Sequence, residues 1–179
     1  LLVILGAVWG SSFILMKLGM EPVQGFPTMN HFQVAGLRMT IAAVVMLPFA
    51  IRSLKLLKTK SAPYLLIVGL CGNFIPSYLF TYAGTGLSSG FCGILNSFTP
   101  IFTVFIAFIA FKTKVHWLQV VGILIGTAGI VSLVTSGGHL TLINSPSHIG
   151  AVLIATLLYG ISVNTIRHKL SHISPLEVT

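Results

Sequence analysis

The sequence predicts an all-α integral membrane protein, a polytopic bundle of transmembrane helices. Of its 179 residues, 55% are hydrophobic and only 7% are charged, and its mean hydropathy of +0.99 lies far above that of soluble domains. A spanning helix needs about 20 mostly apolar residues, and the chain offers six such segments in succession. Because the alternating pattern of barrel strands is absent, these segments are expected to be helices. The composition excludes a water-soluble globular protein.

Short polar breaks define the six predicted spans. In chain order, the spans cover residues 1–20, 31–51, 62–83, 88–111, 116–134 and 148–166. The chain opens inside an apolar run, with no charged segment or cleavage site ahead of it, so we interpret it as a fragment of a longer protein. Its two cysteines, Cys71 and Cys92, lie in apolar stretches and indicate no disulfide framework.

The basic residues predict the orientation of these spans. Eight of the 10 Lys and Arg residues follow the second, fourth and sixth spans: Arg52, Lys55, Lys58, Lys60, Lys112, Lys114, Arg167 and Lys169. The breaks after the third and fifth spans carry none. By the positive-inside rule, the even-numbered breaks and the amino terminus face the cytoplasm of a multi-pass protein in the inner or plasma membrane. The alternative, that the charges only cap helix ends, predicts no alternation.

The sixth span resembles a second copy of the first. A shift of 150 residues places Trp9 over Tyr159, Gly10 over Gly160 and Ser12 over Ser162. An odd number of spans separates the two copies, so the second copy must enter the membrane from the opposite side. This arrangement is an inverted-topology repeat, which is typical of secondary transporters. The alternative is that apolar helices resemble one another by composition alone.

Four motifs in this order and spacing resemble the EamA-like members of the drug/metabolite transporter superfamily. They are residues 9–13 (Trp-Gly-Ser-Ser-Phe) with Lys17, residues 36–38 (Gly-Leu-Arg), residues 97–102 (Ser-Phe-Thr-Pro-Ile-Phe) and residues 122–129, which are rich in glycine. The resemblance implies a ten-helix permease of two five-helix repeats, with the first repeat in residues 1–137 and the truncated start of the second in residues 148–179. The family's usual glutamate after the fourth helix is missing, because residues 111–114 read Phe-Lys-Thr-Lys.

This resemblance implies a membrane permease or exporter that moves small metabolites, amino acid-like or other small organic solutes, by alternating access. The expected partners are the lipid bilayer and a small-molecule solute, with no nucleic acid and no cofactor, and a homo-oligomer is left open. The six histidines lie at span ends or in breaks without metal-ligand spacing, so neither a metal site nor a catalytic residue is predicted. The alternatives are a noncatalytic membrane assembly protein and a membrane-embedded enzyme subunit.

Two basic residues inside the spans are the first candidates for a substrate pathway. A charge near the middle of a bilayer costs roughly 2.5–3.5 kcal/mol on insertion scales, so Lys17 and Arg38 need a partner or water. They either attract an anionic group of the substrate, such as a carboxylate, or extend to the interface as structural anchors. The sequence offers no acidic partner inside the spans, because its two acids, Glu21 and Glu177, lie at helix ends.

The other pathway candidates are aromatic, polar and proline residues well inside the spans: Trp9, Ser12, Asn73, Tyr78, Asn96, Pro100 and Tyr159. The two matched aromatic residues are expected to form walls of a central cavity, with plain packing as the alternative. Amides avoid lipid, so the two asparagines are expected to face protein or cavity, either as pathway lining or as interhelical contacts. Pro100 and Pro76 are expected to kink their helices, as pivots or as merely structural bends.

Three pairs of glycines, each spaced four residues apart, predict close contact between helices. They are Gly6 with Gly10, Gly86 with Gly90, and Gly122 with Gly126. Because such spacing lets two helix backbones approach each other, we interpret these pairs as packing positions.

Overall fold

The computed structural model describes residues 2–22, 28–136 and 146–178, which form helices and turns with no β-strand among them. The helices are α1 (Leu2–Met20), α2 (His31–Ser53), α3 (Ala62–Gly69), α4 (Ile75–Gly86), α5 (Ser89–Asn96), α6 (Thr99–Phe111), α7 (Trp117–Ser136), α8 (Pro146–Lys169) and α9 (Pro175–Val178). The prediction of an all-α polytopic membrane protein is confirmed. Residues 137–145, which hold the predicted boundary between the repeats, lie outside the described residues, as does Leu1.

Five helical segments of the described chain are long and apolar enough to cross a membrane. They are Val3–Met20, His31–Ile51, Ala62–Gly86, Ser89–Phe111 and Pro146–Lys169. They match five of the predicted spans to within a few residues. The other predicted span is α7, which is helical over 20 residues and has a shorter apolar part at Trp117–Gly129.

The regular α-helix is interrupted in the third and the fourth span. In the third span, a wide turn at Leu70–Phe74 separates α3 from α4, and Pro76 lies in the first turn of α4. In the fourth span, a turn at residues 97–98 separates α5 from α6, and Pro100 lies in the first turn of α6. Proline lacks a backbone N–H, so the carbonyl four residues before each proline loses its usual helical hydrogen bond. Each proline lies in the first turn of its helix, where this loss costs least. A change in helical geometry thus lies next to each proline, and the predicted kinks stay a prediction.

Helix α8 occupies the centre of the bundle. It packs against α3 and α4 on one side and α6 on another, and it is the most buried of the five candidate spans. At one end Thr113 and His168 Nε2 are hydrogen-bonded over 3.1 Å, and at the other Tyr82 donates to Ser147 over 3.1 Å. The first contact places the end of α8 beside the end of the fourth span. The second places its start beside the end of the third span, and Lys169 lies 5.7 Å from the ring centroid of Tyr64 at the start of the third span, so α8 is antiparallel to the third span.

The two ends of the bundle differ in charge. Lys55 and Lys58 after α2, Lys112 after α6 and Lys169 of α8 lie at one end, which we call the basic end. At the opposite end, α1 and α4 finish and α2 and α8 begin. Helices α1 and α8 thus cross the bundle in opposite directions, which is the arrangement that an inverted repeat requires; the repeat itself stays a prediction.

The closest helix contacts do not involve most of the predicted glycine pairs. A Cβ atom added to Gly160 would lie 3.1 Å from the backbone of Phe102 in α6, and one added to Gly72 would overlap the Ser162 side chain of α8. Within the described chain, open space surrounds five members of the predicted pairs: Gly6, Gly10, Gly90, Gly122 and Gly126. The packing prediction is therefore wrong for these five, and among the predicted glycines it holds for Gly86, which contacts His148.

We predict that Gly160→Leu destabilises the full-length protein by about 1–3 kcal/mol, because its side chain must push α8 away from α6. Thermal unfolding of the detergent-solubilised protein measures this effect. Gly150→Leu is the matched control, since Gly150 lies on the same helix with nothing within 4 Å of an added Cβ atom. Equal destabilisation by the two substitutions would contradict the close approach of α8 and α6.

Candidate functional site

Three aromatic side chains meet in the interior of the bundle. The ring of Phe80 on α4 lies edge-on to Phe13 of α1, with a centroid distance of 5.3 Å, and stacks against Tyr159 of α8 at 5.8 Å. Phe80 belongs to the buried core, and Phe13 and Tyr159 pack against that core from either side. The predicted cavity-wall residue Tyr159 thus lies where α1, α4 and α8 converge.

Arg38 of α2 reaches this aromatic cluster. One guanidinium nitrogen, Nη1, contacts the sulfur of Met16 on α1, and the guanidinium interacts electrostatically with Tyr159. A thioether is a weak acceptor, whereas a guanidinium carries five N–H donors. Arg38 lies seven residues after the start of α2, which places it about 10 Å along the helix axis from that end of the helix. The cation of Arg38 thus lies well inside its span, and the Met16 sulfur that it contacts is only a weak hydrogen-bond acceptor.

Lys17 and Ser12 lie on α1 near the same cluster. Lys17 follows Met16 directly, is half-buried, and lies within electrostatic range of Cys92 on α5. Ser12 donates its hydroxyl proton to the backbone oxygen of Trp9 over 2.7 Å, so the helix satisfies this hydroxyl internally. Lys17 adds a second positive charge to this part of the bundle, whereas Ser12 makes no contact with another helix through this bond.

Trp9 and Asn96 line a groove between α1 and α5 that shares Phe13 with the aromatic cluster. The groove has a volume of about 370 Å³, and its walls include Gly10, Phe13 and Gly93. Trp9 is 67% exposed, whereas Tyr159, its predicted equivalent, is half-buried against Phe80. Trp9 and Tyr159 thus have different neighbours in the described chain, and their place in the walls of one central cavity stays a prediction.

Pro100 lines a second groove, which lies between the interruption of the fourth span and α7. This groove has a volume of about 710 Å³ and is walled by Pro100, Ile101 and Val104 on one side and by Gln119, Gly122 and Thr127 on the other. Pro100 is exposed in it. The groove is thus distinct from the cluster around Arg38.

Tyr78 and Asn73 lie away from the Arg38 cluster. The ring of Tyr78 packs between Phe74 and Phe32, at centroid distances of 5.1 and 6.1 Å. Asn73 lies in the wide turn of the third span, is exposed, and makes no hydrogen bond to another described side chain. Of the predicted pathway residues, the structure therefore brings Arg38 and Tyr159 together, with Lys17 nearby.

Sequence reasoning missed a row of buried polar residues on α8. Asn164 is 1% exposed, and its amide donates to the backbone oxygens of Thr103 and Gly160, both over 2.8 Å. Thr156 lies two turns before it and is also fully buried. Their spacing with Gly160, at every fourth residue, is a helical stripe of small and polar residues that favours close packing. This stripe is visible in the sequence and could have identified these residues as a packing surface of α8.

These features define a polytopic helical membrane protein with a buried cationic and aromatic cluster among its spans. The chain belongs to the EamA-like transporter family, whose model matches residues 1–135. This confirms the resemblance drawn from the motifs. It also places the described bundle among membrane transporter sequences.

Curated relatives agree with this assignment. The chain is 30% identical over 149 residues to an inner membrane transporter of uncharacterized function, YedA of Escherichia coli K12, covering 82% of this chain and 45% of that protein. It is 23% identical over 184 residues to a probable terminal-alkyne amino-acid exporter of Streptantibioticus cattleyicolor, covering 99% of this chain and 57% of that protein. The chain thus spans about half the length of these relatives. No solved structure matches it significantly.

We predict that Asn164→Leu destabilises the full-length protein by roughly 0.6–1.7 kcal/mol, the range for hydrogen bonds between helices in a membrane. Thermal unfolding in detergent measures the loss. Asn73→Leu is the matched control, because this asparagine also lies inside a span but is exposed. A loss of stability with Asn73→Leu and none with Asn164→Leu would contradict the bridging role of Asn164.

Proposed function

We propose that the full-length protein is a secondary permease that moves small, amino acid-like organic solutes across the inner membrane by alternating access. The observation that carries this proposal is the cluster of Arg38, Tyr159, Phe80 and Phe13, where a cation and an aromatic wall meet inside the bundle. The family and the transporter relatives support the general class. The solute, the mechanism and the orientation with a cytoplasmic amino terminus are part of the proposal.

The charge balance favours a solute with an anionic group. Arg38 and Lys17 lie inside spans, and the sequence holds two acids, Glu21 and Glu177, both near helix ends. A membrane-embedded charge is tolerated where it pairs or faces water. A guanidinium binds a carboxylate with two parallel hydrogen bonds, which gives both affinity and orientation. We therefore assign Arg38 the role of binding the carboxylate of the solute.

The aromatic wall favours an apolar side chain on the same solute. Phe13 and Phe80 offer ring faces and edges next to the cation, and Tyr159 adds a phenol group. A molecule with a carboxylate at one end and a compact apolar group at the other matches both parts of the cluster. One relative, which is 23% identical to this chain, is named as a probable terminal-alkyne amino-acid exporter, and its name supports this class of solute.

Alternating access requires two bodies that move against each other around this cluster. Helix α8 is the start of the predicted second repeat, and it packs against the third and fourth spans of the first repeat. Both of those spans are interrupted near a proline, and transporter helices interrupted in this way line binding sites and bend during transport. The solute must bind both conformations with similar affinity so that it can be released.

The direct test is transport by the full-length protein in proteoliposomes. A panel of radiolabelled amino acids and related metabolites is offered with and without an imposed proton gradient. We expect saturable flux of at least one carboxylate solute, and its dependence on the gradient reports the coupling. Absence of flux across the whole panel, with correctly folded protein, would count against a permease and favour an assembly role.

We predict that Arg38→Ala lowers the apparent affinity for a carboxylate solute about 10- to 100-fold, which corresponds to the roughly 1.5–3 kcal/mol of a charge-assisted hydrogen bond. The measurement is concentration-dependent uptake into proteoliposomes. The methyl ester of the same solute is expected to be transported equally by the parent protein and the variant, since it offers no anion to Arg38.

Arg167→Ala is the matched control for this experiment. Arg167 is an exposed basic residue in the last turn of α8, outside the Arg38 cluster. We expect it to leave uptake unchanged. If Arg38→Ala instead reduced the amount of folded protein and the flux in equal proportion, Arg38 would be a structural anchor and the carboxylate assignment would be wrong.

A further inference from the structure

The groove between α6 and α7 extends along α7 for about the length of one lipid acyl chain. Its lining on α7 runs from Gln119 to Gly129, and ten residues of helix rise about 15 Å. The hydrocarbon core of a bilayer is about 30 Å thick, so this length equals the depth of one leaflet. The facing wall on α6 is apolar at Ile101 and Val104. The groove, with its volume of about 710 Å³, therefore has the shape of a site for an acyl chain.

The surfaces on both sides of this groove are apolar and exposed. Phe108 on α6 and Leu124 and Ile125 on α7 each expose more than half of their surface. Exposed apolar surface of this extent marks a region that contacts a membrane or another protein. Inside the groove, Gly122 and Gly126 have nothing within 4 Å of an added Cβ atom, so α7 leaves space there for a ligand. The groove thus lies within a surface suited to hydrocarbon.

Two lysines lie next to the end of the groove that faces the basic end of the bundle. Lys112 and Lys114 belong to the short connection between α6 and α7, and both are exposed. Lys112 has a left-handed backbone conformation, with φ of 49°, that ends α6. The side chain of Gln119 accepts a hydrogen bond from the backbone N–H of His116 over 3.0 Å, which fixes the start of α7 beside this connection. Two positive charges therefore lie near the mouth of an apolar groove.

The residue that starts α7 indicates where the headgroups of the membrane lie. Trp117 is 66% exposed, and tryptophan is typical of the interface between headgroups and hydrocarbon. Its position between the two lysines and the groove places the lysines at headgroup depth and the groove in the hydrocarbon. The two acids of the sequence, Glu21 and Glu177, lie outside α6, α7 and their connection. Charge complementarity therefore favours an anionic headgroup at this place.

We propose that the groove between α6 and α7 binds one anionic phospholipid, with an acyl chain against Gly122 and Gly126 and the phosphate of the headgroup at Lys112 and Lys114. A lysine ammonium is a compact charge that binds phosphate well. One lysine near an anionic membrane surface strengthens binding about five-fold, so the pair strengthens it about 25-fold. The site does not include Arg38, and it stands independently of the proposed transport.

The test is photo-crosslinking of lipid to the full-length protein in phosphatidylcholine vesicles. The vesicles contain a small fraction of phosphatidylglycerol or phosphatidylcholine that carries a diazirine in one acyl chain. Mass spectrometry of peptides measures crosslinks at residues 119–129, divided by the crosslinks summed over all other spans. We expect this quotient to be on the order of ten-fold higher for the phosphatidylglycerol probe. Equal quotients for the two probes would overturn the proposal. Absence of crosslinks in the groove, as when the rest of the chain covers it, would overturn it as well.

Two pairs of lysine variants test the role of the headgroup. The variant with Lys112→Gln and Lys114→Gln is expected to lose the preference for phosphatidylglycerol and to keep its crosslinks to phosphatidylcholine. The variant with Lys55→Gln and Lys58→Gln is the matched control, because it removes two exposed charges from the same end of the bundle. We expect the control to keep the preference. Retention of the preference in the first variant, or its loss in the control, contradicts the proposed headgroup site.

A further variant tests the position of the acyl chain. Gly126→Leu fills the groove without meeting another side chain, and we expect it to lower the phosphatidylglycerol crosslinks at residues 119–129 to the level of the phosphatidylcholine probe. Ala128→Leu is the matched control, because Ala128 is exposed on the same helix and does not line the groove. Unchanged crosslinking in Gly126→Leu would place the acyl chain elsewhere and refute the site. Because crosslinking requires no solute, absence of flux in proteoliposomes would refute the permease without affecting this result.

Discussion

The close approach of α8 to α6 at Gly160 is the constraint on which the rest of the bundle depends. Backbone atoms of Phe102 lie about 3.1 Å from an added Cβ, so a larger residue would have to push the two helices apart. The Asn164 amide joins the same two helices one turn later. This contact fixes the rotation of α8. Its neighbour Tyr159 consequently faces Phe80, and His148, about three turns earlier on the helix, faces Tyr82.

The scarcity of acids is the second constraint. Within this chain the two carboxylates, Glu21 and Glu177, lie near helix ends, whereas Arg38 and Lys17 lie inside spans. In a hydrocarbon environment such a charge requires a partner or water, and the proposed solute site beside the aromatic wall would meet that requirement for Arg38. The Met16 sulfur occupies one donor of the guanidinium and leaves the others for a ligand or water.

Much of the secondary structure and part of the site could be predicted from the sequence. Span limits follow from hydropathy, and the interruptions of the third and fourth spans lie next to Pro76 and Pro100, because proline acts locally. Arg38 was found because a charge inside an apolar run is conspicuous. The central position of α8 could not be found in this way, since it depends on which helices pack together. For the same reason, the alignment of Trp9 with Tyr159 gave no information about their different surroundings.

The helices of the bundle differ in continuity, which bears on the proposed alternating-access mechanism. Helix α8 carries both His148 and Tyr159 on 24 uninterrupted residues, so a displacement at its first turn is transmitted to the aromatic cluster. The third and fourth spans, which pack against it, are interrupted at Leu70–Phe74 and at residues 97–98. Interrupted helices bend at lower cost than continuous ones. Under the proposed mechanism, α8 therefore moves as a rigid helix, and the third and fourth spans bend at their two interruptions.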